Sequence, residues 1–89
     1  MEIQLSKFGE VLTSRPAGKE AFAAIRPTLD PQTKEIEIGF DGVLSLSPSW
    51  ADEFFRALED LYGSDNISFI QSDNPSVNAT LKILYNKEG

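Results

Sequence analysis

The chemistry open to this chain is limited by two residue types that it lacks. None of its 89 residues is a cysteine or a histidine, which excludes disulfides, thiolate nucleophiles, Ser-His and Cys-His dyads and the commonest zinc ligands. Carboxylate, hydroxyl and lysine chemistry remain. The sequence shows no pairing of a base with a nucleophile, so we expect a protein that is not an enzyme.

Three carboxylates stand near one another around a loop that leads from a predicted strand into a predicted helix: Asp41, Asp52 and Glu53. Clustered carboxylates at the carboxyl end of a strand can bind Mg²⁺. Acidic residues in the first turn of a helix are also explained by the helix dipole alone. We favour the dipole and expect neither a metal ion nor a cofactor.

Serines alternate through the same loop and helix start, at Ser45, Ser47 and Ser49. A phosphate added to Ser49 or Ser47 would meet free backbone N–H groups at the helix start. Capping accounts for Ser47 and Ser49 without any modification, since serine is a preferred residue at helix starts. Trp50 follows directly, and an aromatic residue at this place either joins the core or anchors a partner.

Length and charge favour a small binding module over an enzyme with a cleft. A chain of 89 residues predicts one domain spanning 1–89 with a limited core. Its net charge of −6 opposes nucleic-acid binding, and residues 35–73 carry nine acidic side chains against Arg56 alone. The sequence lacks a long apolar run and the order of a signal peptide, so we expect a cytoplasmic location and no membrane contact.

Hydrophobic spacing predicts alternating strands and helices. Residues 2–5 alternate as a short strand, and Val11–Leu12 is read as a second strand that pairs back on it or as a loop. Ser14 and Pro16 then start an amphipathic helix whose apolar stripe extends to Leu29, near Pro27. Residues 34–40 alternate strictly and predict the clearest strand in the chain.

The second half of the chain repeats this order. Residues 41–46 read as a loop, after which Ser47 with Pro48, or Ser49 with Asp52, starts a helix that Gly63 ends. Residues 66–71 predict a third strand, and residues 73–75 start a closing helix. The order β-α-β-α-β-α predicts a compact α/β fold with a small, mostly parallel or mixed sheet and helices packed against it.

The segment GFDGVLSLSPSWADEFFRAL resembles the central signature of the STAS-like family of unknown function called DUF4325. The matching positions are Phe40, Asp41, Gly42, Val43, Ser47, Ser49, Trp50, Ala51, Asp52 and Glu53. The N-terminal segment FGEVLTSRPAGKEAF resembles the Gly-turn and Ser-Arg helix start of that family, at Gly9, Ser14 and Arg15. The resemblance runs from about Phe8 to Leu58 and implies a STAS-like α/β domain.

More distantly, the chain is similar to STAS domains typified by anti-sigma factor antagonists. The resemblance implies that a strand-to-helix loop and the following helix face a kinase-like partner, and that phosphorylation of a loop serine breaks the complex. This chain departs from the Asp-Ser-x-Gly-type motif, because Ser47 replaces the Asp, Trp50 replaces the Gly, and the acceptor position falls on or beside Pro48. These departures do not change the implied fold. Ser49 or Ser47 could accept the phosphate only in a shifted alignment.

These observations favour a regulatory module that binds a protein partner, kinase-like or encoded by a neighbouring gene. We expect its partner-binding edge at residues 44–56, formed by Ser47, Ser49, Trp50, Asp52, Glu53 and Arg56. One alternative is a sensor of a small ligand or nucleotide that uses Asp41 and the helix start. Another is an acidic inhibitor, phage-encoded or antitoxin-like, that occupies a basic site through residues 35–73.

Overall fold

The computed structural model describes residues 1–85 as strands and helices in alternation. The elements are β1 (Glu2–Gln4), β2 (Val11–Leu12), α1 (Arg15–Ile25), β3 (Ile36–Gly39), β4 (Ser45–Leu46), α2 (Pro48–Tyr62), β5 (Ile67–Phe69) and α3 (Pro75–Tyr85). Single 3₁₀ turns occupy Leu5–Phe8, Arg26–Thr28 and Ser64–Asn66. The predicted α/β fold is confirmed.

The main sheet has the strand order β1-β3-β5, and both of its strand pairs are parallel. Its inner face is apolar, since Ile3 lies opposite Ile38 in the register and both are buried. Glu2 and Glu37 are paired on the other face and are exposed. This arrangement explains the strict alternation of residues 34–40, because one face of the sheet packs against the core and the other faces solvent.

The pairing expected for Val11–Leu12 is wrong. β2 does not turn back on β1; it pairs in parallel with β4, with Leu12 opposite Leu46. The intervening residues form a 3₁₀ turn and then Gly9 at φ 131°, so they make no tight hairpin. The loop predicted for residues 41–46 is confirmed for residues 41–44 and wrong for Ser45–Leu46, which form β4 because the tertiary structure supplies β2 as a partner.

The three helices begin where the capping residues predict. The hydroxyl of Ser14 accepts a hydrogen bond from the Ala17 N–H, and Ser47, not Ser49, caps α2. Asn74 caps α3 by accepting from the Ser76 N–H at 2.8 Å. α1 ends at Ile25, so Leu29 lies beyond the helix, although it is still buried.

Side chains from the inner face of the sheet and from the helices meet in one core. Its members are Ile3, Leu5, Leu12, Ala21, Ile25, Leu29, Ile36, Ile38, Phe40, Val43, Leu46, Trp50, Ala51, Phe54, Phe55, Leu58, Tyr62 and Val77. α2 contributes the largest side chains, and Trp50 stacks on Phe54 with 4.9 Å between ring centroids. No helix within residues 1–85 combines the length and the apolar character needed to cross a membrane.

Candidate functional site

The start of α2 is held by its capping serine. The Trp50 N–H donates to the Ser47 hydroxyl at 3.2 Å, and the Ala51 N–H donates to the Ser47 carbonyl at 3.1 Å. Pro48 occupies the first helical position, where its missing N–H costs nothing. Ser47 is half-buried and Ser49 is exposed, so Ser49 is the serine of this pair that offers an accessible hydroxyl.

The strand that leads into this helix start is secured from the side of α3. The Leu46 carbonyl accepts from the Thr80 hydroxyl at 2.5 Å, and the Leu46 N–H donates to the Ser76 hydroxyl at 3.0 Å. The Asn74 side-chain amide donates to the carbonyls of Val43 and Leu44. These bonds satisfy backbone N–H and C=O groups on the side of this segment that does not pair with β2, and they hold residues 43–47 in place.

Trp50 belongs to the core. Its side chain is 1% exposed and packs among Phe54 and Phe8. The expectation that Trp50 anchors a partner is therefore corrected, because a side chain without exposed surface cannot contact another protein in this conformation. Exposed apolar surface lies instead at Leu44, which is 65% exposed, and at Val11, which is 61% exposed on the neighbouring strand.

Asp52 and Glu53 are joined by an arginine that the sequence analysis did not place in the site. The guanidinium of Arg15 lies 2.9 Å from the Asp52 carboxylate and 3.1 Å from that of Glu53. Arg56 contacts the other oxygen of Asp52 at 3.0 Å. We call these four residues the charged cluster. The resemblance had singled out the Ser-Arg helix start, and that was the signal that could have identified Arg15.

The helix dipole does not account for these two acids. α2 begins at Pro48, and its first turn contains no acidic residue, so Asp52 and Glu53 stand one turn further along than we expected. The dipole falls off within the first turn of a helix. Their neighbour is the start of α1, and the favoured explanation from the sequence is replaced by ion pairing across two helices.

A glycine brings the two helices close enough for this pairing. A Cβ built on Gly18 would lie 2.5 Å from the Trp50 carbonyl oxygen, so any side chain at this position would push α1 away from α2. Ser14, directly before Arg15, adopts φ 78°, a conformation that is rare for residues other than glycine. The backbone at the start of α1 is therefore constrained on both sides of Arg15.

The ion pairs alter the acidity of the cluster. The hydrogen bond from Arg15, followed by that from Arg56, lowers the pKa of Asp52 below its ordinary value of 3.8, although partial burial opposes the shift. The same bond to Asp52, followed by that to Glu53, raises the pKa of Arg15. Both groups are therefore charged across the physiological pH range. The cluster can hold a partner's charged group through salt-sensitive contacts.

The three carboxylates that we considered together are not grouped in the structure. Asp41 lies two residues beyond the end of β3 and lines a depression with Glu2 and Gln4, whereas Asp52 and Glu53 contact Arg15. Within residues 1–85 no three acidic side chains are grouped so that they could hold a metal ion.

Comparison with known proteins places the chain in a family. No curated protein and no solved structure matches it. The model of a STAS-like domain of unknown function, DUF4325, matches residues 17–77. That range includes β3, the Ser47 cap and the carboxylates of the charged cluster. The three helices and the small parallel sheet of the domain are compatible with a STAS-like fold. The chain therefore belongs to the DUF4325 family of STAS-like domains.

Proposed function

We propose that this protein is a non-enzymatic regulatory module that binds a protein partner through the edge formed by residues 44–56. The charged cluster carries the proposal: Arg15 holds Asp52 and Glu53 side by side in a fixed arrangement on a partly exposed surface. Preorganised charges lose little freedom on binding and favour a specific orientation of the partner.

The same edge contains an apolar contact point. Leu44 projects from the segment just before β4, and its N–H donates to the Glu10 carbonyl at 2.7 Å, which brings Val11 alongside. Protein interfaces usually combine exposed apolar residues with a polar rim. Leu44 takes the anchoring role that we first assigned to Trp50, and Ser49, Asp52, Glu53 and Arg56 form the polar rim with Arg15.

Ser49 is the modification site that fits this edge best. Its hydroxyl is exposed, whereas Ser47 is half-buried and its oxygen accepts the capping bond from Trp50. A phosphate on Ser49 would add negative charge beside Asp52 and Glu53 and would compete with them for Arg15 and Arg56. Phosphorylation is therefore expected to weaken binding of a partner that recognises the intact cluster.

Affinity capture from native lysate, quantified by mass spectrometry, tests the proposal. We expect a partner that is recovered by the wild-type chain and lost on Leu44→Glu and on Asp52→Lys, with melting temperatures that show each variant to be folded. Asp65→Lys makes the same charge reversal away from the edge and should retain the partner. Loss of the partner with Asp65→Lys as well, or its retention by both edge variants, would refute the proposed surface.

A further inference from the structure

A second surface lies at the other end of the α1–α2 pair. α1 and α2 run side by side in the same direction, and their C-terminal halves line a shallow, open groove of about 290 Å³. It is lined by Phe22, Arg26, Ala57, Asp60 and Leu61. We call it the distal groove. None of these residues belongs to the charged cluster or to the edge at residues 44–56.

The floor of the distal groove is apolar and reaches the surface. Phe22 packs edge-on against Phe54, with 6.1 Å between ring centroids, but is only partly buried. Leu61 remains 38% exposed even though it lies on the helix that supplies most of the core. Covering these side chains would remove apolar surface from water, which favours association.

The rim of the distal groove carries one charge of each sign, Arg26 and Asp60. Both are exposed, and within residues 1–85 the side chain of neither forms an ion pair or a hydrogen bond. This differs from the charged cluster, where every member is paired. A partner whose contact surface carries charges of only one sign would place a like charge opposite either Arg26 or Asp60.

We propose that the distal groove is the interface of a homodimer. A two-fold axis through the groove would place Phe22 and Leu61 of one copy against those of the other. It would also set Arg26 of each copy opposite Asp60 of the partner copy, so that one patch satisfies both charges by meeting itself. The groove is small, so the dimer is expected to be weak. The edge at residues 44–56 stays free.

Sedimentation equilibrium across a range of protein concentrations tests this interface. We expect a monomer–dimer equilibrium for the wild-type chain and a dissociation constant at least roughly tenfold higher for Arg26→Asp or Asp60→Arg, since each puts like charges in contact. The double variant Arg26→Asp/Asp60→Arg exchanges the two charges and should restore the wild-type constant. Lys34→Asp and Asp65→Arg make the same reversals at exposed positions outside the groove and should leave it unchanged.

Three results would overturn the proposal: a wild-type chain that is monomeric at every concentration, single reversals without effect, or a double variant that does not recover. Arg26 and Asp60 are exposed, so their variants are expected to fold, and circular dichroism verifies this. Leu61→Glu gives a second test, since a buried charge at the interface should abolish the dimer. No step needs the partner of the proposed function, so the two proposals can fail separately.

Discussion

The two ends of the α1–α2 pair use charge in opposite ways. At the N-terminal end, Arg15 and Arg56 are paired with Asp52 and Glu53 within the chain. At the C-terminal end, Arg26 and Asp60 flank an exposed apolar groove and have no such partners among residues 1–85. The same two helices therefore present one surface whose charges are already ordered and another whose charges are free to pair with a second molecule.

The close approach of the helices at the N-terminal end has an identifiable cause. Gly18 lets α1 contact the backbone of α2 at Trp50, so side chains that start nearby can reach across. Further along, Phe22 and Leu61 line the distal groove together with Arg26 and Asp60. The close backbone contact at Gly18 thus favours the internal ion pairs of the charged cluster.

The largest effect is expected from Gly18→Ala, which alters the residue that allows α1 and α2 to approach closely. Alanine normally favours a helix over glycine by about 1 kcal/mol, but here its Cβ would collide with the Trp50 carbonyl. Overpacking of this kind costs about 1–3 kcal/mol, so the free energy of unfolding should fall, as measured by chemical denaturation. Ala23→Gly, at an exposed position of α1, is the control and should cost about 0.5–1 kcal/mol. A stabilising Gly18→Ala would contradict the close approach.

A smaller effect is expected at Ser14, the residue with positive φ that directly precedes Arg15. Ser14→Gly relieves a conformation that costs about 1–3 kcal/mol in other residues and loses only a few tenths of a kcal/mol of capping. Its free energy of unfolding should rise by about 1 kcal/mol. Ser14→Ala keeps the strained backbone and loses the capping hydroxyl, so the free energy of unfolding of this variant should fall by about 1 kcal/mol. Equal effects of the two variants in thermal denaturation would show that strain is absent.

The smallest effect is expected at Asp52, where the ion pairs of the charged cluster make stability depend on pH. Because pairing lowers the pKa of Asp52 in the folded state below 3.8, its contribution is present above pH 3.8 and is lost as the pH falls through the folded value. Asp52→Asn should therefore cost about 0.5–1 kcal/mol near neutral pH, and the difference from wild type should vanish in acid. Asp65→Asn is the matched control. A difference that is independent of pH would exclude the ion pairs as its cause.

Local signals predicted much of this fold. Ser14, Ser47 and Asn74 cap the helices as their types and positions indicate, and the alternation of residues 34–40 identified the central strand. These features depend on residues close in sequence. The strand β4 was missed and the pairing of β2 was predicted wrongly, because each strand has only two residues and is stabilised by a partner more than thirty residues away.

The candidate site was also predicted only in those parts that depend on residues close in sequence. Asp52, Glu53 and Arg56 were recognised as polar residues on one helix, and the Asp52–Arg56 pair follows from their spacing of four. The part played by Arg15 was not recognised, because its ion pairs join residues 37 and 38 positions apart. The burial of Trp50 was similarly left open, since an aromatic residue at a helix start suits either a core or an interface.

The sequence by itself determined the three helices, the strands of the main sheet, the helix-capping residues and the absence of thiol and imidazole chemistry, because each is a property of residue type or of neighbours along the chain. Only the tertiary structure decided that Arg15 holds Asp52 and Glu53, that Trp50 is buried, and that Arg26 and Asp60 flank one groove. Those outcomes depend on how α1 lies against α2. The approach is controlled by one glycine, whose role is visible only when the opposing carbonyl is in place.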